Sequence, residues 1–375
     1  MAELSEIDWD DIIDTLGEEK CVLFLGSGVF EIPGYPNMEE AFKEKLKVGD
    51  PNHPYIHLYS PDGFLVLRKK RFKRKVISEM KSFYDDIYSS SEDFFHKLAK
   101  IPFSIVVSLT PDNILTRTYD ALGLDYQSDF YLPLQTEADY IEKPTKEKPL
   151  IYNLLGNIED PDSIILTHED FFDYLSSIFR NTNLNQSLSD ELGNMERFIF
   201  LGLPYEKWYF QLLLRILSIN STRLQEVERL ALQEFQNPTL NKLYTNEFKI
   251  EFFPIDIVDF IDQLYRECEH RKVLKQSLEP SASEQEAAHI TPENIEELVA
   301  NAKTVQALRN LRLLATQLKG IRVQEIRKEI ILLQNNYNIL QQRELHGTIY
   351  PADYSVENAR ITERLLEILK TIRGL

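Results

Sequence analysis

The stretch Cys21-Val22-Leu23-Phe24-Leu25-Gly26-Ser27-Gly28 decides the fold class of this chain. Five apolar residues in a row predict a strand that is buried on both faces, and the glycines that follow predict a tight turn. Strands that alternate with helices are typical of a doubly wound α/β domain with a parallel sheet. Similar apolar runs recur at residues 103–107, 163–166 and 198–201, with helical patterns between them at 38–46, 94–100 and 208–217.

Beyond residue 275 the chain changes in character. Residues 276–290 are rich in Ser, Ala, Glu and Gln, which is typical of a linker. Thr291-Pro292-Glu293 then predicts a helix start, with an N-cap, a proline at the first position and an acid at the positive end of the dipole. We predict a first domain at 1–275, a linker at 276–290 and an all-α helical bundle at 291–375. Two apolar stripes at helical spacing flank Gly347: Ile326-Ile330-Leu333-Tyr337-Leu340 and Ile361-Leu365-Ile368-Ile372.

Composition limits the classes of function. The chain has 375 residues and a net charge of −18, and phosphate repels an acidic surface, so a general nucleic-acid binder is not expected. The acidity belongs to the first domain, because residues 292–375 hold 12 Lys and Arg against 10 Asp and Glu. The only cysteines, Cys21 and Cys268, are far apart, which argues against a disulfide framework and a cysteine zinc site. No apolar stretch is long enough to span a membrane and the N-terminus is acidic, so we expect a cytoplasmic protein without a membrane partner.

The glycine motif alone leaves two interpretations open. Glycines after a strand let backbone N–H groups approach a diphosphate, but the same pattern also occurs in simple turns. Glu31 stands where the third glycine of a dinucleotide fingerprint would be, and no Gly-Lys-Ser/Thr of a P-loop follows. A phosphate site at this turn therefore needs support from other motifs.

A second local feature is the basic run from Arg68 to Lys75, which carries seven cations in eight positions. Such a run is typical of a solvated face that pairs with nearby acids. An anion or partner site, with nucleic acid as one example, is the alternative. We favour the paired face.

Four motifs in order carry a family resemblance: "CVLFLGSGVFEIPGYPNMEEAF", "IVVSLTPDNIL", "PLIYNLLGNIEDPDSIILTHEDFFDYL" and "FIFLGLPYEKWYFQLLLRIL". Together they resemble the sirtuin-like family in its prokaryotic immune branch, over roughly residues 8 to 265. The resemblance implies a Rossmann-like sheet with a small helical insertion, and NAD or a related nucleotide as ligand. It implies no metal, because the zinc-binding cysteines of the deacetylase branch are absent. The positions that it assigns to ligand binding are Gly26, Ser27, Gly28, Asp112, Gly156 and Gly202.

The chain departs from the family at both catalytic positions. Thr110 stands where the family has the asparagine that orients the ribose or the attacking water. Leu155 stands where the family has its general-base histidine, and a leucine side chain cannot accept a proton. His168 and Asn113 are the nearest candidates for a relocated pair, but both stand where a helix is expected to begin. The resemblance therefore implies that the catalytic pair is lost.

The C-terminal sequence "EIRKEIILLQNNYNILQQRELHGTIYPADYSVENARITERLLEILKTI" resembles the effector-associated domain of prokaryotic conflict systems. In that family the domain is a helical adaptor that recruits a partner with a like domain. The resemblance implies a partner protein bound through Thr291–Leu375, and the sirtuin-like resemblance implies a homo-oligomer. A bundle that only packs on the first domain is the alternative.

Four hypotheses follow. The first is an antiphage pseudoenzyme, in which a nucleotide sensor or scaffold is coupled to a partner through the adaptor domain. The second is an active NAD glycohydrolase that uses other residues and depletes cellular NAD. The third is a structural interaction module with an empty cleft, and the fourth is a nucleic-acid reader based on the basic run.

Overall fold

The computed structural model describes residues 4–30, 32, 34–131, 143–181, 186–217, 227–233, 237–276, 291–301 and 350–373, and single positions between 303 and 340. The chain forms two compact units, Met1–Ser277 and Leu278–Leu375. The predicted linker at 276–290 lies, from residue 277 onward, outside the described residues.

The first unit contains a seven-stranded sheet in which every pairing is parallel. The strand order is β5-β6-β4-β1-β7-β8-β9. Without the edge strand β5, this is the order 3-2-1-4-5-6 of a Rossmann fold, which confirms the predicted class. The strands are β1 Cys21–Leu25, β4 Ile105–Ser108, β5 Gln127–Phe130, β6 Leu150–Asn153, β7 Arg197–Leu201, β8 Glu228–Leu232 and β9 Glu251–Phe253; an antiparallel hairpin of β2 Ile56–Tyr59 and β3 Leu65–Leu67 stands apart.

Helices cover both faces of the sheet, which explains why β1 is apolar throughout. Leu23 and Leu25 face a core shared with α1 to α5 and α10, whereas Val22 and Phe24 face a core shared with α6 to α9. Alternate side chains of a strand point to opposite faces, so burial on both sides removes the polar alternation. The helices are α1 Trp9–Gly17, α2 Met38–Lys45, α3 Lys73–Ser90, α4 Glu92–Lys100, α5 Ile114–Leu122, α6 His168–Asn181, α7 Gln186–Leu192, α8 Trp208–Ile216, α9 Pro238–Glu247 and α10 Ile257–His270.

Two expectations about this unit need correction. Residues 163–166 form no strand; they lead into α6, and the strand of this motif is Leu150–Asn153. The apolar run is buried for another reason, since Ile164 and Leu166 pack into the core as a loop. The segment between β1 and β4 is also not purely helical, because the β2–β3 hairpin lies within it.

The second unit has its own apolar core. A helix runs over Pro292–Ala300, where Thr291 caps the first turn as predicted, and a longer helix runs over Pro351–Arg373. Arg373 pairs with Glu293 at 2.9 Å and so joins these two helices. The described members of both predicted stripes are buried together in this core, whereas the turn around Gly347 lies outside the described residues.

None of the helices within the described ranges combines the length and the apolar content that a bilayer crossing requires.

Candidate functional site

The carboxyl ends of β1, β4 and β6 meet at one edge of the sheet and form a cleft. Leu25 pairs with Ser108, and Ser108 pairs with Asn153, so the three strands end level with one another. The cleft encloses about 350 Å³ of space, part of it open to solvent, and its innermost part has room for about one water molecule. Its lining consists of Leu25, Gly26, Val29, Phe30, Phe95, Ser108, Thr110, Asp112, Leu115, Thr116, Ile151 and Asn153.

A network of buried polar side chains holds the loop after β4. The Ser108 hydroxyl lies 3.0 Å from the Thr110 hydroxyl and accepts the Thr110 N–H at 3.2 Å. From the neighbouring strand, Asn153 Nδ2 donates to the Thr110 carbonyl at 2.9 Å and to the Asp112 carbonyl at 3.1 Å. Buried polar groups need such partners, so this network fixes the loop at the mouth of the cleft.

Asp112 is the one ionisable residue in this lining. Its Oδ1 accepts the Ile114 N–H at 2.9 Å at the start of α5. Its Oδ2 is buried and has no hydrogen-bond partner. Burial raises the pKa of the Asp112 carboxyl above its ordinary value, and the nearby Thr110 side chain and the Ile114 N–H oppose that rise. A buried carboxylate oxygen without a partner is costly, which makes Asp112 the first candidate for ligand contact.

The glycines after β1 bring two loops of the backbone into contact. Gly26 donates its N–H to the Leu201 carbonyl and Gly28 donates its N–H to the Gly202 carbonyl, both at 2.9 Å. A Cβ on Gly26 would lie 2.2 Å from the Gly202 oxygen, and Gly202 itself has a φ of +61°. These glycines therefore let the loops after β1 and β7 touch backbone to backbone, at the point where the strand order reverses. Two of the expected phosphate donors are occupied by the protein.

The remaining predicted positions divide between the cleft and its surroundings. Thr110 lines the cleft, whereas Leu155 packs half-buried against the core on the opposite face of the sheet. Gly156 has a φ of +94°, and a Cβ there would lie 2.3 Å from the Ser163 oxygen, so it allows a loop to approach. Ser27 begins the short 3-10 turn Ser27–Val29 beside the cleft and does not line it.

The two candidates for a relocated catalytic pair lie at helix starts. Asp170 accepts the Thr167 N–H at 2.9 Å while its own N–H donates to the Thr167 hydroxyl, so a capping box precedes α6. His168 opens that helix and packs against the Phe64 ring, away from the cleft lining. Asn113 precedes α5 and donates to Glu159 at 2.8 Å.

The basic run is largely paired within its own unit. Three of its cations meet acids on the segment that leads into and begins α6: Lys70 with Glu169, Lys73 with Asp170 and Arg74 with Asp162. Arg68 donates to the carbonyls of His53 and Pro51, and Lys75 lies over the Tyr55 ring. These contacts correspond to the paired face that we favoured from the sequence.

Asn153 is the cleft residue that sequence reasoning missed. The residue is 97 % buried, its side chain donates to two carbonyls, and it lines the cleft. The available signal was a lone polar residue at the end of the apolar run Leu150-Ile151-Tyr152, two residues before the position of the lost histidine.

The fold and the cleft define a Rossmann-like α/β protein joined to a separate helical unit. Comparison with protein families identifies the two parts: a SIR2-like domain model matches residues 112–252, and an effector-associated domain 11 model matches residues 290–373. The chain thus carries a SIR2-like domain followed by an effector-associated domain. The first match includes four of the predicted positions: Asp112, Leu155, Gly156 and Gly202. It begins after the turn at Gly26–Gly28 and after Thr110. No curated protein matches the chain.

Proposed function

We propose that this chain is a non-cleaving nucleotide sensor or scaffold of an antiphage system, and that its effector-associated domain recruits a partner protein. The pairing of a SIR2-like domain with an effector-associated domain fits an antiphage or effector system, and SIR2-like domains bind NAD-related nucleotides. The partner would bind through Thr291–Leu375, and the chain would assemble with further copies of itself. Two buried free cysteines, Cys21 and Cys268, suit a cytoplasmic location.

The lining of the cleft is the observation that carries this proposal. Removal of a proton from an attacking water needs a titratable group within hydrogen-bond reach. None of the histidines that the structure describes lines the cleft, and Leu155, at the general-base position, faces the opposite core. Thr110, at the asparagine position, is held by Ser108 and Asn153. In this proposal a threonine that fixes the loop replaces the family's asparagine, and a leucine that packs on the opposite face of the sheet replaces its histidine.

The cleft fits one end of a nucleotide. Asp112 Oδ2 is buried without a partner, and a ligand that donates a hydrogen bond would satisfy it. A terminal group of the nucleotide would occupy the open part of the cleft, since the innermost part has room for about one water molecule, and the rest of a dinucleotide would extend past Ser27. Gly26 and Gly28 would leave room for the ligand without donating hydrogen bonds to it, because their N–H groups already donate to carbonyls at the end of β7 and in the loop after it.

Incubation of the purified full chain with NAD, with and without its partner, tests the proposal. We expect binding by calorimetry without release of nicotinamide. Nicotinamide release that Asp112→Ala abolishes would overturn the proposal.

The rival function is NAD hydrolysis, and one observation favours it: Asp112 has a free oxygen inside the cleft. A carboxylate there could accept a proton from water while the bond to nicotinamide breaks, which would yield ADP-ribose and nicotinamide. The two functions differ in cells as well. The hydrolase predicts loss of cellular NAD on expression, whereas the sensor predicts an unchanged NAD pool.

A further inference from the structure

Two large aromatic side chains of the first unit are exposed. Phe172 on α6 is 56 % exposed, and Trp208, the first residue of α8, is 44 % exposed. A single exposed apolar residue is common on a protein surface and needs no explanation, but neighbouring exposed aromatic rings are typical of interfaces. The position of these two rings relative to each other therefore decides what they mean.

Ring contacts place both aromatics along one groove between α6 and α8. The rings of Phe171 and Trp208 lie 5.8 Å apart, so the first turns of the two helices pack side by side. His168 lies four residues before Phe172, on the same flank of α6, and its ring is 4.7 Å from that of Phe64. Phe64 also contacts the second residue of α8, so this flank of α6 faces α8. We call the surface formed by Phe172 and Trp208 the aromatic groove.

The Trp208 ring is fixed in place and its exposed side is open. Phe171, which is fully buried, meets it nearly edge to face, at an interplanar angle of 83°. Lys207, the preceding residue, is held elsewhere, because its Nζ donates to the Pro61 carbonyl at 2.8 Å and pairs with Glu39 at 3.2 Å. Within the described ranges no lysine or arginine lies over the Trp208 ring, although tryptophan binds cations best among the aromatic residues.

The rim of the aromatic groove is acidic. Asp173 and Glu206 are exposed and lie within two residues of the two aromatics in the sequence. Asp62, at the tip of the β2–β3 hairpin, lies 3.5 Å from the imidazole that opens α6. Lys70 reaches this side of the unit but already pairs with Glu169. A guanidinium group fits such a surface, since it can stack on a ring while it pairs with a carboxylate.

We infer that the aromatic groove is a docking surface for a segment of a partner protein that carries apolar side chains next to arginines. The apolar side chains would cover the rings, as when a helix lies in a groove, and the net charge of −18 would attract the cations. The groove lies on the face of the sheet opposite to the cleft, because Phe171 packs with Phe24, whereas the cleft residues Leu25 and Ile151 belong to the other core. A partner bound there would leave the cleft open, and its contact would be separate from the one proposed for Thr291–Leu375.

Two synthetic peptides of equal length test the inference on the full chain by calorimetry. The first carries leucines at helical spacing with arginines at the other positions, and the second has glutamate in place of every arginine. We expect the arginine peptide to bind and the glutamate peptide not to bind. Trp208→Ala and Phe172→Ser should each weaken binding of the arginine peptide by at least about tenfold.

These variants leave the charge of the chain unchanged, so they separate docking in the groove from a general attraction between a cationic peptide and an acidic protein. Leu58→Ser is the matched control, because Leu58 is another exposed apolar residue of the same unit, 52 % exposed on β2. It should not change the affinity. Either groove variant suffices for the test, provided that its urea denaturation curve matches that of the wild-type chain.

Four outcomes would overturn the inference. They are failure of the arginine peptide to bind the wild-type chain, equal binding of both peptides, an affinity that neither groove variant changes, and a loss of mass in sedimentation when Trp208 or Phe172 is replaced. The last result would show that the groove is a contact between copies of this chain. None of these measurements uses NAD, so each outcome leaves the proposed function intact.

Discussion

The Gly202 carbonyl accepts the N–H of Gly28 at 2.9 Å, and neither residue can carry a side chain where the two backbones meet. The contact joins the turn after β1 to the turn after β7, the two strands between which the sheet reverses its order. Open α/β sheets usually place a ligand in this crevice. Here backbone fills it, and the cleft lies one strand over, between β1, β4 and β6.

The first prediction concerns this contact. Gly202→Ala would place a Cβ 2.4 Å from Gly28 C in addition to forcing a φ of +61° on alanine. We expect a loss of unfolding free energy of at least about 3 kcal/mol, measured by urea denaturation. Gly123→Ala is the control, since Gly123 has a φ of +65° with nothing within 4 Å of its Cβ position. It should cost only about 1 kcal/mol, and equal losses for the two variants would show that the contact is unimportant.

The second prediction concerns Asp112. Because burial raises its folded-state pKa, the folded chain holds more proton than the unfolded chain above pH 3.8, and stability from this group falls as pH rises through that window. Asp112→Asn keeps an oxygen for the Ile114 N–H and removes the buried charge. We expect it to be about 1 kcal/mol more stable than wild type at pH 7, with the gain shrinking toward pH 4, by thermal denaturation.

An exposed acid provides the comparison for that experiment. Asp162 is 76 % exposed in its pair with Arg74, so Asp162→Asn should change stability by no more than about 0.5 kcal/mol. If the Asp112→Asn protein were less stable than wild type at neutral pH, the Asp112 carboxylate would be stabilised more strongly than its hydrogen bonds in the structure indicate.

The third prediction separates the ion pairs of the basic run by burial. The side chains of Lys73 and Asp170 are each 20 % exposed, whereas those of Lys70 and Glu169 are 78 % and 64 % exposed. A double-mutant cycle with Lys73→Met and Asp170→Asn should give a coupling of about 1 kcal/mol, and the same cycle on the exposed pair about 0.2 kcal/mol. Similar couplings for both pairs would contradict the role of burial.

The fourth prediction concerns Lys275, whose buried Nζ donates to the Tyr119 hydroxyl at 2.5 Å. Burial lowers the pKa of Lys275 well below 10.5, and the charge of Glu147 opposes the effect only in part. The unfolded chain therefore binds more proton than the folded chain below pH 10.5, so stability rises with pH in that window. Lys275→Met combined with Tyr119→Phe should flatten this rise in denaturation curves between pH 7 and 10.

Lys69→Met is the reference for Lys275, because Lys69 is an exposed lysine of the same unit. Its stability should follow the wild-type dependence on pH. If the double variant also followed that dependence, Lys275 would carry its charge in the folded protein.

The sequence predicted three of the strands that are buried on both faces, β1, β4 and β7, but it missed the equally buried β6 and all strands with exposed positions. Residues Cys21–Leu25 and Arg197–Leu201 are fully buried and mostly apolar, whereas the edge strand Gln127–Phe130 carries polar side chains and its pattern resembles that of a loop. The strand predicted at 163–166 is wrong because those residues form a buried loop, and a buried loop can be as apolar as a strand.

The residues of the candidate site were also predicted only in part. Thr110 and Asp112 were found through the family resemblance, which rests here on one local motif next to a strand end. Asn153 reaches that motif only through the register of β4 with β6, which places it opposite Ser108. Such pairing is a property of the assembled sheet, and spacing along a single chain does not reveal it.

The internal pairing of the basic run has a consequence for how copies of this protein meet. Because those cations are paired with acids of their own molecule, they are not available to pair with acids of a second copy. Two copies that approach each other, each with a net charge of −18, therefore repel one another. Repulsion of this kind decays over about 8 Å at 0.15 M ionic strength and over shorter distances in stronger salt. Self-assembly should therefore tighten as salt is added, in contrast to the binding of a polyanion.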